Sequence, residues 1–374
     1  MKKWMILLLG CLSMHVHAEI VVGVTVSATG PGNSLGAPIA NATKIFPKTM
    51  GGEPVRYIVL DDASDPTAGT KAARKLASED KVDVLIGSST MPSAIAQATV
   101  AGEERLPMIA ISPIPINPAK QPFVFSVPQP TLLMVDALTE HMVANHVKNL
   151  GFIGFSDSWG DLAYSSMKAS ADAAGIHITG NERYARPDVA VTGQILKLMA
   201  QNPDAVFVGG SGAPAALPQI AAAARGFKKT FYQTHGVVNR DFIRVGGKSV
   251  EGAIAPTGPV VVAEQLPADH PLKATGLAFI KRYEEEYGTG SRNAFAAYAW
   301  DAAAIIEAAV PTALKAAKPG TPAFRQALRD AIENTHEVKG THAVYNMSAT
   351  DHNGVDKRAR VLVRVENGEW KLIR

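Results

Sequence analysis

Tyr164 and Lys168, in "YSSMK", stand one helical turn apart. At that spacing an ammonium sits beside a phenol and lowers its pKa, which fits a tyrosine for proton transfer. A second candidate lies upstream, where an apolar run gives way to "TVSATGPGNSLGAP", Thr25 to Pro38. Gly30, Gly32 and Gly36 have G-x-G-x-x-x-G spacing, close to that of a loop that cradles a dinucleotide pyrophosphate. Asp61 and Asp62 end the next strand-like run, where an acid would hold a ribose. These residues pose one question first: does the chain transfer hydride, or does it only bind something?

The enzyme reading has missing parts. The Tyr-x-x-x-Lys pair is that of short-chain dehydrogenases, but a chain with eight tyrosines and so many basic residues meets the pattern by chance with a probability on the order of 0.5. Gly151 stands where that family's serine is sought. "GGSGA", Gly209 to Ala213, fails the G-x-S-x-G nucleophile turn because Ala213 takes the last glycine's place. His141 and His146 are five residues apart and do not share a helix face for a metal. The single cysteine, Cys11, gives no thiolate cluster. The expectation is a protein that is not an enzyme and holds neither cofactor nor metal.

The elements that must position any site begin with an export signal. Lys2 and Lys3 form a basic start, Met5 to Met14 an apolar stretch too short to span a bilayer, and Val16-His17-Ala18 a small-x-small cleavage pattern. Leu8-Leu9-Gly10-Cys11 offers a competing lipoprotein site, but it leaves only about six apolar residues ahead of the cysteine, short of the roughly 7–15 of an ordinary apolar region. Cleavage after Ala18 is expected to release a cysteine-free chain into the periplasm, with no membrane span. At 374 residues, 47% hydrophobic and 19% charged, core size is no obstacle and two domains are expected. A net charge of +3, with no long basic run interleaved with aromatics, argues against nucleic acid as a partner.

Apolar β-branched runs alternate with helical periodicity. Strands are predicted at 20–26, 57–61, 82–87, 107–112 and 123–127, with helices at 35–48, 66–78 and 92–104 between them. The pattern then repeats in kind, with strands at 150–155, 176–179, 205–208 and 230–233 and helices at 160–174, 191–200 and 213–225. After residue 256 the chain turns mostly helical, over 271–287 and 293–315. It ends in a hairpin signalled by Asn367-Gly368. Alternation of this kind gives parallel sheets covered by helices, hence an α/β fold of two lobes.

With those elements in place, the sequence resembles the solute-binding proteins of branched-chain amino acid (Leu/Ile/Val) type ABC transporters. The matching pieces are "VGVTVSATGPGNSLGAP", "LDDASDPTAGTKAARKLASEDKVDVLIG", "LPMIAISP", "FVFSVPQP", "GFIGFSDSWGDLAYSSMKASADAAGI" and "DAVFVGGSGAPAALPQIAAAARGFK". The Asp61-Asp62-x-x-Asp65-Pro66 run is the most specific of them. The resemblance implies the type I periplasmic binding fold: two Rossmann-like lobes with parallel central sheets, joined by hinge crossovers. The lobes are expected at 19–138 plus 257–335 and at 139–256 plus 336–374. It also implies a monomer that delivers a small solute to ABC permease subunits, the glycine-rich loop then lining a cleft wall. The same fold serves the sensing subunits of signalling complexes, which is the alternative role.

Carried over position by position, the resemblance implies a ligand carboxylate held by Ser88, Ser89, Thr90 and Met91 at the start of the third helix, with Ser112, Pro113 and Ile114 after the fourth strand. Helix N-termini suit anions on physical grounds as well. From the other lobe it implies Trp159 as an aromatic platform, Ser211 where an aromatic is usual, and His235 where amino acid binders carry a glutamate for the ligand's ammonium. An imidazole cannot replace that acid, and an unpaired buried ammonium is costly. The expected ligand is therefore an aromatic acid of benzoate or hydroxycinnamate type, with a branched-chain amino acid or an amide as the alternative. The signal spacing makes one direct prediction: intact mass of the periplasmic protein gives a chain beginning at Glu19, and a lipid adduct on Cys11 overturns it.

Overall fold

The computed structural model describes residues 19–373; the expected export signal, with Cys11 and the cleavage after Ala18, lies outside the described residues. The chain opens on β1 (Ile20–Val26), every residue of which is buried. A strand can be apolar on both sides only where helices cover both faces of its sheet. That cover follows in sequence: α1 (Asn33–Thr43), β2 (Thr49–Met50), β3 (Glu53–Asp61), α2 (Pro66–Arg74), β4 (Val84–Ile86), α3 (Met91–Glu103), β5 (Met108–Ala110) and β6 (Val124–Ser126). The strand order is β2-β3-β1-β4-β5-β6, parallel except for β2 against β3. On β1 the alternation is plain: Ile20, Val22, Val24 and Val26 pack with Leu35 and Ile39 of α1, while Val21 joins Ala73 of α2 and Ala94 of α3 on the opposite face.

A second sheet repeats the scheme. It is built from α4 (Thr131–Ala144), β7 (Asn149–Phe155), α5 (Ser158–Ala173), β8 (His177–Tyr184), α6 (Thr192–Ala200), β9 (Ala205–Gly209), α7 (Leu217–Ala223), β10 (Thr230–Gln233), α8 (Arg240–Gly246) and β11 (Ile254–Thr257). The chain then returns to the first sheet with α9 (Lys273–Tyr287), α10 (Ala294–Ala316) and α11 (Pro322–Glu333), makes a small hairpin of β12 (Val338–Lys339) and β13 (Val344–Tyr345), and ends with β14 (Val361–Glu366) and β15 (Glu369–Leu372). The second sheet has the order β15-β14-β11-β10-β9-β7-β8, with β14 and β15 as its antiparallel edge. Asn367 and Gly368, at φ 55° and 73°, make the two-residue turn expected of them.

Three helices, α4, α8 and α11, carry no expectation from the sequence. In α4 the cause is visible: Val135, Leu138 and Met142 pack against Leu150 and Phe207, yet Leu132 and Val143 stay exposed. Apolar residues on every side leave no single stripe to read. The first helix is also shorter than expected, ending at Thr43 and not at residue 48 because Ile45 and Phe46 turn inward as separate core residues.

The chain passes between the two sheets after β6, after β11 and ahead of β14, and these crossings meet. Fully buried Gln129, in the first, accepts a hydrogen bond from the Tyr298 hydroxyl at 2.6 Å and donates to the Ala359 carbonyl, in the third, at 2.7 Å. The His342 ring stacks on Tyr298 with centroids 3.9 Å apart. Gln129→Leu strands a buried hydroxyl and a carbonyl, so it is expected to cost roughly 1–3 kcal/mol per orphaned group in urea denaturation. A change below about 0.5 kcal/mol, the range of neutral surface substitutions, overturns that role.

Candidate ligand site

The carboxyl ends of the first sheet's strands are held together by one buried acid. Asp62, fully buried, accepts hydrogen bonds from the Ser27 hydroxyl at 2.7 Å, the Ser64 N–H at 2.9 Å and the Ser88 hydroxyl. It thereby ties the loops after β1, β3 and β4 into one wall. The Ser27 N–H in turn donates to Ser89 Oγ at 3.0 Å. Thr90 occupies the N-cap position of α3, where a threonine usually caps, yet it makes no cap bond and its buried hydroxyl has no partner. The first turn of α3 thus keeps N–H donors free of a side-chain cap, the arrangement that favours an anion.

The same wall answers the dinucleotide question. A Cβ on Gly36 would lie 2.2 Å from the Ser27 carbonyl oxygen, and one on Gly32 would lie 2.7 Å from Thr90 Cγ2. The glycines are there because the loop packs against its own neighbours, which leaves no cradle for a pyrophosphate. Asp61 receives the N–H and hydroxyl of Thr29 and the Ala63 N–H. With Asp62 committed inside, neither acid is placed for a ribose.

On the second sheet, Asp157 caps α5 by accepting from the N–H groups of Trp159 and Gly160. Its other oxygen receives Arg186 Nε at 2.5 Å, while Arg186 Nη1 donates to Ser211 Oγ at 3.0 Å. The guanidinium lies 4.3 Å from the centre of the Phe155 ring. Trp159 is buried, and its indole N–H donates to the Gly210 carbonyl at 2.9 Å, so toward the cleft it offers apolar ring alone. His235 meets that ring edge-on at 5.5 Å and is itself buried, with neither ring nitrogen bonded. Burial pushes its pKa down to about 4, so the ring is neutral at pH 7.

These two walls enclose a narrow cavity of about 30 Å³, lined on one side by Ser89, Thr90, Met91 and Ser112 and on the other by Trp159, Arg186, Ser211 and His235. Two expected residues lie elsewhere. Ser88 is fully buried behind the wall because its hydroxyl is taken by Asp62. Ile114 faces a neighbouring hollow of about 310 Å³, where Pro115, Ile116, Leu132 and Leu162 form apolar walls; only Pro113 of its loop borders both spaces. Sequence reasoning missed Arg186, Phe295 and Tyr298, all of which line the cavity. A signal for Arg186 existed in "YARPD", a basic residue just past the carboxyl end of a strand. Phe295 and Tyr298, one turn apart on α10, read as ordinary core.

The remaining motifs are structural. Lys168 pairs with Asp172 at 2.7 Å on the exposed side of α5, and Tyr164 packs edge-on against Phe152. Neither lines the cavity, so the proton-transfer pair has no substrate space beside it. Among the described residues no group of His, Cys, Asp or Glu could hold a metal, and no helix is long and apolar enough to cross a membrane.

The family described as periplasmic binding protein matches residues 19–369. An extracellular ligand-binding receptor from Rhodopseudomonas palustris is 46% identical, with a TM-score of 0.93 over 95% of this chain and 99% of that one. A Leu/Ile/Val-binding protein homologue from Brucella suis is 25% identical over 253 residues, 65% of this chain and 67% of that protein. The solute-binding protein of an R. palustris ABC transporter, solved with benzoate, shares the fold at 22% identity and a TM-score of 0.80 over 95% of both chains.

The neutral His235 makes a pH prediction. Its folded pKa of about 4 lies below the ordinary 6.5, so below about pH 6.5 the unfolded chain takes up a proton that the folded one refuses. Its contribution is therefore a stability that falls as pH drops from about 6.5 to about 4 and levels off below that. Burial displaces His342 in the same direction, to about 3, which leaves a residual slope. In His235→Leu the melting temperature should depend less steeply on pH across this window; an unchanged profile overturns the assignment.

Proposed function

The chain belongs to the periplasmic binding protein family, and from that premise we propose that it is an exported receptor that captures a small carboxylate, an aromatic acid first, and delivers it to an ABC permease. In this reading the two helix-covered sheets are the lobes and the three crossings are the hinge. The observation that carries it is the charge pattern of the cavity: its walls contain one formal cation, Arg186, and no carboxylate, with an uncharged His235 between. An α-amino acid brought there would bury its ammonium with no acid to meet it, a cost of several kcal/mol at least. An acid without an amino group meets an arginine, the free hydroxyl of Thr90 and the uncapped turn of α3.

The ligand's carboxylate is assigned to Ser89, Thr90, Met91 and Ser112, and its flat body to the faces of Trp159, Phe295 and Tyr298. Arg186 is held against Asp157 and Ser211, so it offers its remaining N–H donors from a fixed position, with Asp157 offsetting much of its charge. The benzoate held by the R. palustris protein supports the choice of ligand, since the same fold there accommodates an aromatic acid. A volume of about 30 Å³ admits a water or two, so anything the size of benzoate enters only as the walls part. Capture and lobe movement are then a single event, and closure is favoured by groups that touch both walls at once.

A thermal-shift screen tests the reading. About 100 Kd of a ligand that binds only the folded chain adds roughly 2.7 kcal/mol, so benzoate or a related aromatic acid is expected to raise the melting temperature while leucine and valine leave it nearly unchanged. Arg186→Met should abolish the response to the acid. A strong response to leucine with none to any aromatic or aliphatic acid overturns the ligand class and favours the branched-chain amino acid reading, which the name of the Brucella relative supports.

A further inference from the structure

Two glycine-rich loops stood out in the sequence as failed enzyme motifs, "TGPGNSLG" and "GGSGAP". In the fold they come from opposite sheets and touch. Ser34, in the first turn of α1, accepts a hydrogen bond from the Ala213 N–H at 3.0 Å, across 179 residues of sequence. Both positions are built for close approach. Gly212 has φ 64°, a conformation that L side chains rarely adopt, and a Cβ there would lie 2.6 Å from Ser34 Oγ. The Gly212 N–H is itself fixed to the Gly236 carbonyl at 2.7 Å, and the Gly210 carbonyl receives both the Trp159 indole and the Thr234 hydroxyl. The second loop is thus a rigid shelf that carries Ser211 into the cavity and presents the Ala213 N–H to the other lobe.

We infer that Ser34 and Gly212–Ala213 form a latch that sets how readily the lobes close, independently of the ligand. Ser34 does not line the cavity, so its effect on affinity passes through closure and it is a positioning residue. The latch rests on the two-lobe receptor reading but not on the identity of the solute. In the open form Ser34 and the Ala213 N–H are satisfied by water; in the closed form they meet in a partly buried contact, so the bond adds to closure the net worth of one neutral hydrogen bond. That amounts to about a 2- to 10-fold change in the closed-to-open ratio. Gly212→Ala acts more strongly, because its Cβ would lie 2.6 Å from Ser34 Oγ on closure and so both breaks the bond and forces that hydroxyl aside.

Spin labels at exposed Lys44→Cys on one lobe and Lys229→Cys on the other report the lobe separation by pulsed dipolar spectroscopy, with and without benzoate. The latch predicts two separations in the labelled parent, a fall of about 2- to 10-fold in the shorter one for Ser34→Ala, a larger fall for Gly212→Ala, and no further loss when both are combined. Ser34→Thr, which keeps the acceptor, is expected to restore part of the short-distance population. The latch is overturned by a distance distribution that Ser34→Ala and Gly212→Ala both leave unchanged, or by a parent that shows only the longer separation under both conditions. If benzoate has no effect on the parent while the variants still shift the free protein, the latch stands and the ligand assignment alone fails.

Discussion

The site depends first on a carboxylate that never reaches it. Asp62 touches the loops after β1, β3 and β4 together, through Ser27, Ser64 and Ser88. A buried carboxylate is tolerated only if its oxygens are satisfied by donors, and three short polar side chains or N–H groups do that here. The consequence reaches outward in two steps: Ser27 is fixed by Asp62, and the Ser27 N–H fixes Ser89. Thr90 then stands at the cavity with its hydroxyl unbonded. The loop after β1 has further direct bonds of its own, from the Gly32 N–H to Ser64 Oγ and from the Ser27 N–H to Ser89 Oγ, so Asp62 is the centre of a wider network.

The second wall solves a different electrostatic problem. Arg186 must be kept in a partly buried place, and it is kept there by three supports of different kinds: a short ion pair to Asp157, a hydrogen bond to Ser211, and the face of Phe155. Asp157 serves two ends, because the same side chain caps α5. The helix that carries Trp159 and the arginine that faces the cavity are therefore positioned by one carboxylate, and the indole is tied separately to Gly210. The position of this cation is fixed by neighbours on its own wall, and Asp157 offsets much of its charge there.

The alternation of apolar runs made both sheets legible, and the parallel order follows from helices between strands. Boundaries were less so: β3 begins four residues earlier than its apolar run because the β2 hairpin extends it, and α4 was invisible because it is apolar on nearly all sides. Ser89 and Thr90, expected from their place ahead of Pro92, line the cavity. Ser88, expected beside them, turns away from the cavity for a physical reason. Adjacent hydroxyls in "SST" point to different partners, and only the fold shows that Asp62 takes the first. Arg186 escaped because its meaning lies in Asp157 and Ser211, both more than twenty residues away.

One residue joins the cavity to the crossings. Tyr298 lines the ligand space with its ring, while its hydroxyl donates to Gln129 in the first crossing and its face carries His342, near the third. Gln129 passes the connection on to Ala359. His342 is anchored in turn: Asp301 accepts its backbone N–H at 2.9 Å and that of Thr341 at 2.6 Å, and the Tyr345 hydroxyl closes the same carboxylate at 2.9 Å. Burial raises the Asp301 pKa to about 6, the mark of a carboxyl that the fold keeps inside for its hydrogen bonds in spite of the desolvation. The segments between the sheets are thus joined by a polar network whose outermost member is part of the cavity wall. A body that displaced the Tyr298 ring would have to move groups bonded to two crossings, so the cavity wall and the segments between the sheets are mechanically linked.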